Sequence, residues 1–358
     1  MINGILHRAV DSAADTGVRN SQPEGIGRVV GLGDLVCWNN LGRNVVFADT
    51  SLRPLAVFGT TLFPGDDEPS QYDLDVHAIL DLPEFGLLVV LNHLGTVRAF
   101  RRADLLGYTG CGLVEPSANW SFMADVERTV AVTGRLVGSA PRSDGAIGVL
   151  LTGPLDTVAD GAEIPAKAGA KAFGEVTALG VVPSDGDPLV AIGGDGHVAL
   201  VPLAGGQVGR PRWEAEVEFR VATISWHGGA LWAVGPSRGG AADDYDWEQL
   251  TGGGFAALDP ADGRTVVRGP MPDDVAWGTG GVAATPMGPR LAAAGRTGSL
   301  HLVDPRSGVS QCSSAPLASA SLGIAHVAEV GGRVCCGFNR GGYRLHSFSE
   351  AGAADEAP

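Results

Sequence analysis

No stretch of this chain approaches the ~18 continuous apolar residues of a membrane-spanning helix, so no span and no membrane partner are expected. Positive charge is in short supply. The chain has 25 lysines and arginines against 40 aspartates and glutamates, a net charge of −15. That balance argues against nucleic acid as a partner, because DNA and RNA are polyanions. It favours solubility and permits local attraction of cations or basic proteins. Cysteine is scarce and odd in number: Cys37, Cys111, Cys312, Cys335 and Cys336 follow no regular spacing. Such a set supports neither a disulfide framework nor a zinc site. Cys335 and Cys336 are adjacent in an expected strand and leave it on opposite faces, so one ion could not easily take both. The opening residues, Met1 to Asp11, lack a basic start followed by a long apolar run, so no signal peptide is expected and a cytoplasmic setting is the default. There is no Gly-x-Ser-x-Gly elbow, phosphate loop or His-Glu-x-x-His motif.

What the chain does have is glycine, 54 residues of it, with 44% hydrophobic content and only 6% aromatics. Glycine at that level without a collagen period implies many tight turns. One short sentence occurs twice. Gly-Phe-Ala-Ala-Leu-Asp-Pro-Ala-Asp-Gly spans 254–263, and Ser-Leu-His-Leu-Val-Asp-Pro-Arg-Ser-Gly spans 299–308. Their Asp-Pro steps, at 259 and 304, lie 45 residues apart, and a fixed period of that size marks a repeat architecture.

The chain from Gly27 onward reads as short β-type runs separated by Gly, Pro, Asn and Asp. Four fall in each unit. The first has Arg28–Val30, Leu35–Trp38, Asn44–Phe47 and Pro54–Phe58; the second has Val76–Leu82, 86–91, 95–100 and a weaker run near Cys111–Val114. The third has 126–132, 135–139 and 146–151, then an Ala-rich passage to Phe173 that resists assignment. The fourth has 176–182, 188–192, 197–201 and 213–217; the fifth 221–226, 230–234, 254–258 and 265–267. The sixth has Gly281–Ala284, 290–294, 300–303 and 309–313; the seventh 324–330, 333–337 and 343–348, with no fourth. Markers in the first strands, Val29, Val76, Val126, Val176, Ala222, Val282 and Ile324, are separated by 47, 50, 50, 46, 60 and 42 residues. The long step contains an insertion, Arg238–Gly252, of 15 residues.

The expected fold is therefore all-β: a seven-bladed β-propeller of four-stranded antiparallel blades filling residues 1–350 as a single domain. Residues 4–10 would supply the missing last strand and close the ring. An eight-bladed or split six-bladed count stays open because of the passage 155–173. The tail 351–358 is expected to be disordered.

The Gly-x-hydrophobic-x-hydrophobic-Asp-Pro-x-x-Gly element resembles the repeat of WD40-like and quinoprotein-like (PQQ-type) β-propellers. Units five and six carry it, and units one and four follow it loosely through Asp49 and Gly193-Gly194-Asp195-Gly196. No Trp-Asp pair occurs, and the one Gly-His pair, Gly196-His197, does not recur. The resemblance implies the fold and carries over no catalytic residue.

Asp259 and Asp304 read as turn makers that accept backbone amides, with Gly at the positive-φ position. The functional candidates are three acidic connections. One is the segment 65–75, holding Asp66, Asp67, Glu68, Tyr72, Asp73 and Asp75. The second is the insertion 238–252, holding Asp243, Asp244, Tyr245, Asp246, Trp247 and Glu248. The third contains Asp273 and Asp274. In an up-and-down blade all three emerge on one face, and long connections are where function concentrates. They form either a solvated rim or a surface that binds a protein or a small cationic ligand.

Asp73, Asp75 and His77 stand at alternate positions, and their oxygen and imidazole donors suit a divalent metal ion. In an extended chain the outer two are ~13 Å apart, so one ion reaches all three only if the chain bends. His77, His227 and His326 fall on first strands at different heights, which reads as core or channel histidines rather than a shared ligand ring. Two functions follow. The first is a non-catalytic binding platform with an acidic, loop-rich face. The second is a propeller enzyme, a metal-assisted lactonase, hydrolase or lyase, with its site at the channel mouth.

Overall fold

The middle strands of this protein are apolar at consecutive positions rather than at alternate ones. Leu88, Val89, Val90 and Leu91 are all buried, as are Val190, Ala191 and Ile192. Successive strand residues leave on opposite faces, so both faces of these sheets are hidden. A small sheet with two apolar faces needs a neighbour on each side, and a ring of sheets supplies one to every member.

The computed structural model describes residues 5–7, 26–33, 35–40, 44–49, 54–59, 76–92, 95–106, 115–122, 128–141, 146–238, 252–275, 277, 284–287, 290–295, 300–305, 309–313, 324–330, 333–338 and 343–348. Among them, the strands form seven antiparallel sheets of four. Strand β1 (Ile5–His7) comes first and belongs to the last sheet. The first sheet is β2 (Ile26–Leu32), β3 (Leu35–Asn40), β4 (Asn44–Asp49) and β5 (Pro54–Gly59). The second is β6 (Val76–Leu82), β7 (Leu87–Asn92), β8 (Thr96–Arg101) and β9 (Ala118–Ser121), with a short helix α1 (Arg102–Leu106) after β8. The third is β10 (Arg128–Val132), β11 (Arg135–Pro141), β12 (Ile147–Thr152) and β13 (Ala166–Phe173). The fourth is β14 (Ala178–Val182), β15 (Leu189–Gly193), β16 (Asp195–Pro202) and β17 (Trp213–Arg220). The fifth is β18 (Thr223–His227), β19 (Ala230–Gly235), β20 (Gly254–Leu258) and β21 (Thr265–Pro270). The sixth is β22 (Ala284–Met287), β23 (Arg290–Ala294), β24 (Leu300–Asp304) and β25 (Val309–Ser313). The seventh is β26 (Ile324–Val330), β27 (Arg333–Phe338) and β28 (Tyr343–Phe348), with β1 beside β28 as its fourth member.

The first strands touch in the order β2, β6, β10, β14, β18, β22, β26, and β26 also touches β2. This is an all-β propeller of four-stranded antiparallel blades. No helix among the described residues is long and apolar enough to cross a membrane.

The core lies between sheets rather than inside any one of them. Leu88 and Val90 pack with Leu35, Cys37, Val45 and Phe47 of the first sheet. Val89 and Leu91 pack instead with Leu136, Ala140 and Leu150 of the third. Each such burial contributes about 1.5–3 kcal/mol, so a sheet draws its stability from two neighbours at once. Polar ties cross the same boundaries. The Arg102 guanidinium reaches the Asp81 carboxylate at 2.7 Å and donates to the Leu32 carbonyl at 2.9 Å, tying the first two sheets together. Between the fourth and fifth, the Thr177 hydroxyl donates to the Val221 carbonyl, and the Val221 amide donates to the Gly194 carbonyl at 3.1 Å.

Connections between second and third strands, and from one sheet to the next, emerge at one end of the blades, called here the upper face. The remaining connections lie on the lower face, as do the start of β1 and the end of β28. The first Asp-Pro-x-x-Gly element makes its turn as expected, on the lower face. The Asp259 carboxylate accepts the Ala261 amide at 2.9 Å, and the Gly263 amide donates to the Asp259 carbonyl at 2.8 Å. Gly263 has φ +76°, and an added Cβ would lie 2.6 Å from the Trp213 ring. The matching turn after Asp304 lies outside the described residues.

Two expectations need correction, and one unassigned passage finds its place. The fourth strand of the second sheet is Ala118–Ser121, not a run near Cys111–Val114, which lies outside the described residues. Helix α1 takes up chain directly after β8, and the buried Trp120 supplies the stronger apolar anchor. The first strand of the sixth sheet is Ala284–Met287 rather than Gly281–Ala284, because Met287 pairs with Arg290 across a two-residue connection. Pro286 is tolerated there because one edge of a first strand makes no ladder bonds. The Ala-rich passage does two jobs. Ala166–Phe173 is the fourth strand of its own sheet, with a register shift opposite Gly148–Leu150. Residues 160–164 cross to the preceding sheet and pair along β9. The Gly161 amide donates to the Asn119 carbonyl at 2.6 Å and the Ile164 amide to the Ser121 carbonyl at 2.7 Å. They cover an edge that would otherwise offer unpaired backbone groups to another chain.

Two predictions follow from this packing. Gly263→Ala combines left-handed backbone strain with a clash on Trp213 and is expected to cost about 2–4 kcal/mol in urea denaturation. Asp259→Ala, which removes one exposed turn bond, costs about 0.5–1.5 kcal/mol. Cys37 is fully buried, and that burial pushes its thiol well above the ordinary range; the Arg102 guanidinium opposes the shift and the Asp81 carboxylate adds to it. The thiolate is the reactive form. In a variant keeping only Cys37, thiol reagents should therefore modify the unfolded chain and spare the folded one. The raised folded value also means that Cys37 supports the fold fully below the unfolded thiol value near ~8.5 and less as pH rises beyond it. A stability profile from about pH 8 to pH 10 should flatten in Cys37→Ala relative to the parent.

Candidate binding face

The fifth sheet carries the insertion that breaks the repeat period; its first root is held by the fourth sheet and its second by the connection to the sixth. At the first root, the Arg238 guanidinium lies over Gly196, where any side chain would collide with it. Arg238 also faces the Asp195 carboxylate at 3.3 Å. Both partners belong to the start of β16 in the fourth sheet. At the second root, the Gly252 amide donates to the Val275 carbonyl at 3.1 Å. The Trp277 indole N–H donates to the Gly252 carbonyl at 2.7 Å, and the Met271 amide donates to the Gly253 carbonyl at 2.9 Å. Trp277 is almost wholly buried. The connection from the fifth to the sixth sheet, residues 271–277, is thus laid against the end of the insertion by backbone and indole hydrogen bonds.

That connection is fixed from the other side by a histidine. The Asp274 carboxylate sits 2.9 Å from His301 Nε2, with the Asp274 side chain 41% exposed and that of His301 9%. A short way round the rim, Arg220 pairs with Glu175, joining the end of β17 to the link ahead of β14. The upper face therefore has fixed charge at its edge and backbone-anchored connections beneath.

Of the expected binding residues, Asp273 is exposed and Asp274 is half-buried against His301. The structure brings these two beside the second root of the insertion. Asp66, Asp67, Glu68, Tyr72, Asp243, Asp244, Tyr245, Asp246 and Trp247 lie outside the described residues. The strand ends that flank them, at Gly59, Val76, Gly235 and Gly254, are all on the upper face. Asp73 and Asp75 also lie outside the described residues. His77 falls in β6 at a register shift, between the pairs Val76–Asn92 and Ala78–Leu91. A register shift of that kind interrupts the strict alternation of the strand. Among the described residues, no group of three or more His, Cys, Asp and Glu side chains is placed to hold a metal ion.

Sequence reasoning passed over Arg238, Trp277 and His301. The signal for His301 was present. In the twin sentences it occupies the place that Ala256 takes in the first copy.

No family model matches the chain, and no curated protein matches it. Among solved structures, the chain is similar to the computationally designed Ika8 protein, with a TM-score of 0.54 and 14% sequence identity. The match covers 90% of this chain and 96% of that one. A likeness at that identity extends to the propeller fold alone.

The Asp274–His301 pair should register in a double-mutant cycle. With Asp274→Ala and His301→Ala followed by urea denaturation, a coupling of about 1 kcal/mol is expected, since the partly exposed carboxylate is screened. Additive losses would show that the pair does not hold the connection.

Proposed function

We propose that this chain is a seven-bladed propeller, closed between its two ends, that serves as a non-catalytic binding platform. Its acidic upper face engages a basic protein segment or a small cationic ligand. The observation that carries this is the anchoring of the insertion: its second root is bonded to the connection that bears Asp273 and Asp274. Two of the three acidic stretches are thereby rooted side by side, and the third begins and ends on the same face. The net charge of −15 favours a cationic partner. Tyr245 and Trp247 add rings that can stack on a guanidinium or ammonium group. The chain's cysteine pattern supports a cytoplasmic setting, and the Asp-Pro-x-x-Gly elements support kinship with WD40-like or quinoprotein-like repeats.

The test uses an arginine-rich peptide as probe. Binding should weaken about tenfold between low salt and ~0.15 M salt, because exposed charge pairs are screened. Asp243→Asn, Asp244→Asn and Asp246→Asn together should reduce affinity by a further tenfold or about that. Equal binding by the parent and the triple variant would remove the proposal, as would a partner search that recovers nothing.

One observation favours the enzymatic alternative, a metal-assisted lactonase, hydrolase or lyase built on Asp73, Asp75 and His77. The register shift at His77 lies at the upper rim of a first strand, where bulges often serve active sites. Elemental analysis showing no divalent metal, with stability unchanged by chelator, would dismiss it.

A further inference from the structure

We propose that the lower outer rim between the third and fourth sheets docks an extended acidic segment of another protein through Lys167, Arg210 and Arg212. Acids outnumber bases 40 to 25 in this chain, so an exposed cation should find a carboxylate nearby. Arg238, Arg264 and Arg268 do, facing Asp195, Asp259 and Glu218. Among the described residues, the exposed cations that form no ion pair are Arg101, Lys167, Arg210 and Arg212. Arg101 stands by itself at the end of β8. The other three gather at one boundary.

Two contacts bring them together. Val208, in the connection from β16 to β17, packs on Gly169 of β13, where an added Cβ would lie 2.8 Å from the valine. Further along, the Lys171 ammonium pairs with Glu214 of β17. Lys167 comes two residues before Gly169, and Arg210 and Arg212 lie between Val208 and Glu214. Pro211 keeps the chain extended at Arg210, so the two arginines follow one another along the rim. Arg135 adds charge beneath the same connection. Its Nη1 donates to the Thr152 carbonyl at 3.0 Å and lies 3.7 Å from where a Cβ on Gly206 would sit. The neighbouring carboxylates do not cancel this charge. Glu214 is taken up by Lys171, and Glu163 lies on the stretch that crosses to β9.

These cations are spread over two sheets, so a ligand must be extended to meet all of them. Guanidinium groups match carboxylates with two parallel hydrogen bonds, which suits Asp and Glu side chains. A long polyanion such as nucleic acid would run on over a chain of net charge −15 and be repelled, whereas a short acidic segment need touch only the rim. The surface lies on the opposite face from the acidic connections and does not depend on what they bind.

The full-length protein would be titrated into a fluorescein-labelled peptide of alternating Glu and Ala, with anisotropy as the readout. Binding is expected at low salt and should weaken about tenfold by ~0.15 M, because exposed pairs are screened. Each such pair contributes about two- to fivefold, so Lys167→Gln, Arg210→Gln and Arg212→Gln together should weaken binding by about tenfold or more. Arg101→Gln should leave it unchanged. A second readout needs no variant, since Lys167 and Lys171 are the only lysines in the chain. Acetic anhydride should modify Lys167 faster than Lys171, whose ammonium is paired and lies 5.2 Å from the centre of the Phe173 ring. Saturating peptide should slow modification of Lys167. The proposal fails if the peptide does not bind, if the triple variant binds as the parent does, or if Arg101→Gln weakens binding equally. It fails too if peptide leaves the Lys167 rate unchanged, or if a phosphorylated peptide binds where the Glu peptide does not. Self-association at low salt that the triple variant abolishes would make a second copy the occupant and overturn it. Should the triple variant not fold, the Lys167 rate in the parent decides.

Discussion

Everything in this protein depends on the need to cover two apolar faces per sheet. Leu88 and Val90 look one way and Val89 and Leu91 the other, so the second sheet is complete only between the first and the third. The fourth repeats the pattern: Ala191 faces the fifth sheet while Val190 and Ile192 face the third. Stability is then a sum over interfaces, as in other repeat proteins, with the difference that a ring has no capping unit. The place where the two chain ends meet is held by β1, a strand of only three residues. Small side chains suit such tight apposition, which accounts for a core rich in alanine, valine and leucine in a chain with few aromatics.

Most of that architecture was legible in the sequence because turn residues punctuate apolar runs at a nearly constant interval. The strands 76–82, 254–258, 290–294 and 309–313 begin and end where the pattern places them. Legibility failed where a tertiary partner decided the outcome. Residues 160–164 pair with β9 of another sheet, and no local pattern announces a contact made some 40 residues back along the chain. β13 carries a register shift that disrupts alternation. β22 contains Pro286, which argues against a strand unless one edge is known to be free.

The candidate site was legible in its charges and opaque in its anchoring. Counting acids found Asp273 and Asp274, since solvated carboxylates cluster visibly along a chain. It could not find that Asp274 is bonded to His301, a residue separated from it by two strands. Nor could it find Trp277, whose role is a hydrogen bond to the carbonyl of Gly252. Such contacts are with backbone atoms, which every residue possesses, and composition is blind to them. The comparison of Ala256 with His301 suggests a better signal: within a repeat, the position that departs from its own copy.

The strand pair β1 and β28 has a consequence for how the molecule meets surfaces. β1 begins and β28 ends on the lower face, whereas the connection that bears Asp273 and Asp274 emerges on the upper one. The start of the short strand that completes the seventh sheet and the carboxylates of Asp273 and Asp274 are thus a blade's height apart. The ring has in effect two unlike sides, and the thickness of a blade keeps the two apart.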